Sequence, residues 1–204
     1  MKIIPFFGVS WESNSYLLIA DGQAALIDAG VSVELIRNTL LENGATLSYI
    51  LLTHGHFDHT ISVDALRREW NVPLLIHEED AEMLLDAEKS ALYLFFGTKS
   101  AHGAADKILK DGEKIPLGNQ WITVIHTPGH SRGSVCYLCE DALFSGDTIF
   151  ARGYGRYDLH GGDGAVLVRS LQSLRSLDKN LTLYPGHGGA STLQDALSHL
   201  SGMI

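Results

Sequence analysis

Thr53-His54-Gly55-His56-Phe57-Asp58-His59 packs three imidazoles and a carboxylate into a short run. Imidazole and carboxylate are the usual protein ligands of zinc and non-haem iron. The apolar stretch Leu47 to Thr53 before it reads as a strand. Val63, Leu66 and Trp70 after it read as one face of a helix that begins within the run. On a regular helix His54 and His56 would diverge. At a strand end passing into a turn, positions two apart face the same way. His54 and His56 can therefore chelate one ion, while Asp58 and His59, one turn further, face a second.

Two later segments share a plan. Val124-Ile125-His126-Thr127-Pro128-Gly129-His130 and Leu181-Thr182-Leu183-Tyr184-Pro185-Gly186-His187 each run from an apolar strand through Pro-Gly to His. Proline ends the strand because it cannot donate to the ladder. The histidine is then presented on a loop at the sheet edge. Ser145-Gly146-Asp147-Thr148 adds a carboxylate directly after another apolar strand. His54, His56, Asp58, His59, His130, Asp147 and His187 exceed the demand of one ion, since an open mononuclear site needs about three protein ligands. They fit two divalent ions. An Asp bridging them would be best placed to hold them roughly 3.5–4 Å apart, the spacing of two-metal hydrolases. Asp28 reads equally as an acceptor orienting a ligand imidazole or as a turn-capping residue. His77, His102, His126, His160 and His199 lack such context and read as surface or supporting residues.

The flanking pattern alternates strands and helices. Strands are expected over Ser15 to Ala20, Ala24 to Asp28, Val72 to Ile76, Trp121 to His126, Ser134 to Cys139, Ala142 to Ser145 and Leu181 to Tyr184. Ser32 can cap a helix over Val33 to Glu42, with Val33, Ile36, Leu40 and Leu41 on one face and Gly44 beyond its end. Glu78 to Lys110 reads as irregularly helical. Its apolar block Leu92-Tyr93-Leu94-Phe95-Phe96-Gly97 is read as core packing, with a lid or groove wall over the site as the other reading. A Gly-rich loop over Gly153 to Gly164 leads to a helix bearing Val166, Leu167, Leu171, Leu174 and Leu177, and Thr192 to Leu200 forms the last helix. The expectation is an α/β protein with sheets sandwiched between helices, and 204 residues suit a single domain, 1–204.

The net charge of -9 and the lack of a basic stripe argue against nucleic acid and anionic membrane as partners. No stretch approaches the ~20 apolar residues of a membrane span. The apolar start Met1 to Phe7 is too short for a signal-peptide core, so a cytoplasmic protein is expected. Cys136 and Cys139 form a C-x-x-C pair. On a strand, residues three apart point to opposite faces, so the pair reads as two small core residues and not as a redox or zinc motif.

His54-x-His56-x-Asp58-His59, His130, Asp147 and His187 together resemble the ligand set of the metallo-beta-lactamase superfamily, a likeness extending from Asp28 to His187. The resemblance implies a four-layer αβ/βα sandwich with the site at the edge where the sheets meet. Thr127-Pro128-Gly129-His130-Ser131, Ser145-Gly146-Asp147-Thr148-Ile149-Phe150 and Tyr184-Pro185-Gly186-His187-Gly188 are most similar to glyoxalase II, the hydroxyacylglutathione hydrolases. That likeness implies that His54, His56 and His130 hold one metal ion, that Asp58, His59 and His187 hold the other, and that Asp147 bridges them. Asp58 and Asp147 are then the catalytic carboxylates, and a metal-bridging hydroxide attacks the thioester of S-lactoylglutathione or a related small thioester. Zinc is the first expectation for both ions, and His/Asp sites also accept iron and manganese.

The chain departs from glyoxalase II in two places. It ends at Ile204, so the C-terminal helical domain that helps bind glutathione is expected to be absent. The family's Gly-Cys-Gly-Arg loop reads Gly153-Tyr154-Gly155-Arg156, followed by Tyr157-Asp158. Arg156 and Tyr157 are candidate substrate contacts, with a structural ion pair the other reading of Arg156. The glutathione moiety is the part of the substrate these departures put in question. The rival readings are a persulfide dioxygenase-like enzyme with one iron, a lactonase, a true beta-lactamase and a non-catalytic metal-binding module. Oligomeric state has no signature in the sequence.

Overall fold

Neighbouring residues of the first hairpin point into different cores. Strands β1 (Lys2–Phe6), β2 (Ser15–Ala20) and β3 (Gln23–Ile27) pair antiparallel in the computed structural model, which describes residues 1–202. Asp21 and Gly22 close the β2–β3 hairpin with positive φ, the two-residue geometry that matches strand twist. Leu18 and Ile27 enter a core between two sheets, whereas Leu17 and Leu26 enter a core beneath helices. Period-two alternation puts successive side chains on opposite faces, and both faces are apolar because both are covered.

Parallel strands β4 (Thr46–Leu51), β5 (Leu74–His77) and β6 (Lys107–Leu109) extend the first sheet in the order β1 to β6. The second sheet holds β7 (Lys114–Leu117), β8 (Gln120–His126), β9 (Val135–Cys139), β10 (Ala142–Gly146), β11 (Thr182–Pro185) and β12 (Ser191–Thr192), again in sequence order. Only its β10–β11 pair is parallel. Helices α1 (Val33–Asn43) and α3 (Val63–Trp70) cover the outer face of the first sheet. Two further helices, α5 (Gly164–Ser173) and α6 (Leu193–His199), cover that of the second. Short α2 (Phe57–Thr60) and α4 (Leu92–Phe96) lie beside the site. The result is the expected αβ/βα sandwich. No helix among the described residues is long and apolar enough to cross a membrane.

Helix α1 forms where its caps predict. The Ser32 hydroxyl accepts from the Leu35 N–H, and Gly44 ends the helix at φ 58°. Leu41, expected on the buried face, is 74% exposed. The buried stripe is Ile36, Thr39 and Leu40, and Leu41 lies about 100° further round the helix from Leu40. The helix expected to run from the histidines to Trp70 is two pieces, broken at Ile61-Ser62. The segment Glu78 to Lys110 is not one helical region. It holds a 3₁₀ helix (Glu78–Leu85), α4 and the edge strand β6. The Leu92 to Phe96 block is not core either, since none of α4 is buried.

Cys136 packs under α5 and α6, while Cys139 faces the inter-sheet core. Both are free and buried, on opposite faces of β9. Burial pushes both thiols up to about 11. Ellman's reagent should leave native protein unreacted at pH 8 and titrate both thiols after denaturation. Rapid reaction of either thiol in the native state would contradict this packing.

Candidate metal centre

The candidate ligands follow the carboxyl ends of β4, β8, β10 and β11. His54 and His56 lie in the loop after β4, and Asp58 and His59 sit on α2. His130 follows β8, Asp147 follows β10, and His187 follows β11. Hydrogen bonds draw these ends together across the two sheets. The Leu52 carbonyl accepts from Tyr137 Oη at 2.7 Å, and the Thr53 carbonyl accepts from the Val135 N–H at 2.9 Å. The Pro185 carbonyl accepts from Tyr16 Oη at 2.6 Å and from Asn14 Nδ2 at 2.9 Å. Gly146 has φ +48°, and a Cβ there would stand 2.5 Å from Thr53 Oγ1. Glycine both permits that backbone and lets the sheets close.

All seven candidate ligands converge. Ligand atoms of His54, His56 and His130 lie within 4.8 Å of one another, as do those of Asp58, His59 and His187 and those of His54, His59 and Asp147. His130 Nε2 is 2.9 Å from His56 Nδ1 and 3.1 Å from His54 Nε2. Asp147 reaches both sets, with Oδ2 3.7 Å from His130 Nε2 and 3.6 Å from His187 Nε2. Its Oδ1 is 3.4 Å from His59 Nε2.

The far side of each ring shows what faces inward. His130 Nδ1 lies 2.7 Å from the Arg156 carbonyl, an acceptor only, so Nδ1 carries the proton and Nε2 a lone pair. His59 Nδ1 donates to Asp28 Oδ2 at 2.8 Å. Thr53 Oγ1 donates to the same carboxylate and so accepts from His54 Nδ1. The Nε2 atoms of His54, His59 and His130 thus point at one another and at the Asp58 and Asp147 carboxylates. His59 Nε2 and Asp147 Oδ1 are buried with no hydrogen-bond partner. Buried polar atoms are normally satisfied, and lone pairs meeting lone pairs require a cation or a proton between them. Metal-bound histidines characteristically donate their other N–H to a carboxylate or carbonyl, as His59 and His130 do. The donor set fits divalent metal ions.

Electrostatics agree. Burial, then the neighbouring imidazoles, holds His54 well below its ordinary range, and burial with His130 brings His56 down to about 3. Burial pushes Asp58 and Asp147 upward, but His59 and the other imidazoles outweigh it and leave both below the usual carboxylate range. Burial pulls His59 downward, yet Asp28, Asp58 and Asp147 hold it well above its ordinary value. His187, paired with Asp58 at 3.1 Å, is also raised.

Of the two readings open for Asp28, the geometry matches the acceptor that orients a ligand ring, since it accepts from His59 Nδ1. It has φ +57° and also accepts from the Thr53 N–H at 2.8 Å. Arg156 stands at the mouth of the cleft over the cluster, bound to Asp158 at 2.7 and 2.9 Å. Tyr157 departs from the expectation. It packs against Gly164 and lines a separate apolar recess with Tyr154 and Leu167, because the chain turns away from the cleft after Arg156. His77 and His126 stack on each other at 4.1 Å, and neither belongs to a metal-ligand group.

Asp80 went unread in the sequence. It is fully buried and accepts from the Gly55 N–H at 3.0 Å, the Ser131 hydroxyl at 2.6 Å and the Gly133 N–H at 2.6 Å. It thereby ties the backbone between His54 and His56 to the loop that carries His130. Its only sequence signal was an Asp after a strand, too common to single out.

A two-sheet αβ/βα sandwich with a His/Asp cluster at the sheet seam defines a metallo-hydrolase. The chain belongs to the metallo-beta-lactamase superfamily, which residues 10–187 match. It is similar to the probable metallo-hydrolase YqgX of Bacillus subtilis (strain 168), at 34% identity over 197 residues, 94% of this chain and 93% of that one. Among solved structures, BLEG-1 B3 metallo-beta-lactamase aligns with a TM-score of 0.91 and 32% identity over 97% of each chain. TTHA1623 in a di-iron-bound form aligns at 0.82 and 31% identity over 94% of this chain and 96% of that one.

Because Asp28, Asp58 and Asp147 favour the protonated form of His59 when no metal is bound, metal loading should release protons. Calorimetry in buffers of different ionisation enthalpy measures this, and release of none would contradict the reading. Asp80→Ala should weaken metal binding about 10–100-fold, the usual effect of removing a residue that supports ligands. Chelator competition reads that affinity, and wild-type binding would deny Asp80 this role.

Proposed function

We propose that the chain is a binuclear metal-dependent hydrolase, a thioesterase of glyoxalase II type acting on S-lactoylglutathione or a related small thioester. The observation that carries this reading is Asp147, whose carboxylate lies within 4 Å of both His130 and His187. Under it, His54, His56 and His130 hold one ion, Asp58, His59 and His187 hold the other, and Asp147 joins them. The similarity to TTHA1623, described in a di-iron-bound form, supports two ions. Zinc, iron and manganese all suit these ligands.

Divalent ions supply Lewis acidity and activate water for attack near neutral pH. The chain's residues do the rest. Asp28 fixes the His59 ring through Nδ1, and the Arg156 carbonyl fixes the His130 ring. Trp11, Phe57, Phe95 and Phe96 form an apolar wall of the cleft. Hydrolysis breaks the acyl C–S bond and forms a C–O bond to the oxygen of water. The sulfur takes up a proton, leaving a carboxylate and a thiol.

Beta-lactam hydrolysis is a second reading, supported by the similarity to BLEG-1. It breaks an acyl C–N bond by the same attack at a carbonyl. Metal analysis of purified protein should give about two ions per chain, and a parallel assay of thioesters and a chromogenic cephalosporin separates the two readings. Asp147→Ala should remove at least one ion and most activity. One iron per chain, with oxygen uptake on glutathione persulfide, would sink the hydrolase reading altogether.

A further inference from the structure

The cleft over the His/Asp cluster is chemically lopsided. On one side Phe57, which sits in the chain between His56 and Asp58, anchors a set of rings. Its centroid lies 5.8 Å from Trp11, 5.4 Å from Phe95 and 5.4 Å from Phe96, and Trp11 meets Phe96 edge-on at 5.3 Å. These are the spacings of packed aromatic pairs, so the wall is a built surface. Phe95 and Phe96 are nonetheless 51% and 53% exposed, and Trp11 is 41% exposed. Helix α4, which brings Phe95 and Phe96 there, starts at Ala91, a cleft-lining residue at φ +64°. A non-glycine residue in that region is uncommon and marks a backbone held by its surroundings. Contiguous exposed apolar surface marks a binding site, and this one is continuous with the candidate metal ligands.

Positive charge in the cleft is scarce, and its one basic side chain lies by the wall itself, with the Arg156 guanidinium carbon 6.0 Å from the Phe95 ring centroid. Arg156 is the only Lys or Arg among the described residues lining the cleft, and Asp158 already occupies its guanidinium through two hydrogen bonds. A glutathione arm brings two carboxylates, which would find a single cation, already shared with Asp158. The cleft volume of about 290 Å³ lies at the small end of ligand pockets, roughly 300–1,000 Å³, so a tripeptide arm would hang in solvent.

We infer that the substrate is a small thioester with an uncharged apolar arm, aryl or branched alkyl, directly beside the scissile carbonyl and seated on the Trp11–Phe57–Phe95–Phe96 wall. This rests on the thioesterase reading above and narrows it. Phe57 adjoins two candidate ligands, so an acyl carbon at the cluster has its substituent against the rings.

The test compares kcat/KM of the metal-loaded protein for four thioesters. Phenylacetyl-N-acetylcysteamine carries the ring on the acyl side, and S-benzyl thioacetate carries it on the thiol side. Acetyl-N-acetylcysteamine has no ring, and S-lactoylglutathione has a charged arm. At least one ring-bearing thioester should exceed both others by about tenfold or more, the scale on which an apolar pocket discriminates, and which one does so gives the side. Phe96→Ala should shrink that advantage mainly through KM with metal content retained. Preference for S-lactoylglutathione, or equal rates on all four, would overturn the inference. A separate titration uses metal-free protein and 4-phenyl-2-butanone, the uncleavable ketone analogue of S-benzyl thioacetate. Saturable quenching of tryptophan fluorescence that Trp11→Phe abolishes would support the wall, and no response would refute it. If no thioester is cleaved but the ketone binds, the thioesterase reading fails while the apolar subsite stands.

Discussion

Inward-pointing lone pairs are the constraint on which the rest of this molecule depends. Three imidazole Nε2 atoms and two carboxylates face one small volume, an arrangement that self-repels without a cation or a proton. The protein holds it by anchoring the opposite side of the rings. His59 is fixed by Asp28, His54 by the Thr53 hydroxyl, and His130 by the Arg156 carbonyl. Each anchor sets a tautomer as well as an orientation. Asp80 does for the backbone what Asp28 does for the side chains, and its burial is tolerable because three donors satisfy it.

That arrangement explains the seam between the sheets. His54 and His56 come from the first sheet, and His130, Asp147 and His187 come from the second. The cluster exists only when the two halves dock. The bonds that cross the seam, from Tyr137 to Leu52 and from Asn14 and Tyr16 to Pro185, therefore stabilise the fold and set ligand distances together. Gly146 belongs to the same logic, since a side chain there would strike the Thr53 hydroxyl that links Asp28 to His54.

The cleft adds direction to this centre. A polar floor of imidazoles and carboxylates meets an aromatic wall, beside which Arg156 pairs with Asp158. The floor concerns the bond that breaks, and the walls concern what is attached to it.

The sequence by itself determined which residue types gather and where the chain turns to present them. Ser32 and Gly44 delimit α1 through local capping, the Pro-Gly pairs place a histidine just beyond β8 and β11, and the His-rich run declares metal chemistry because few other roles need those residues so close. Tertiary structure decided the rest. The thiols of Cys136 and Cys139 were separable by strand periodicity, but whether Leu92 to Phe96 is covered depends on what packs over it, and the chain leaves it open as a cleft wall. Likewise, Tyr157 differs from its neighbour Arg156 only in where the loop turns, and Asp80 acquires its role solely because Gly55 and Ser131 arrive at its Oδ2 and Gly133 at its Oδ1, all remote in sequence. Local rules act through neighbours along the chain, whereas these outcomes depend on contacts that exist only after the sheets have docked.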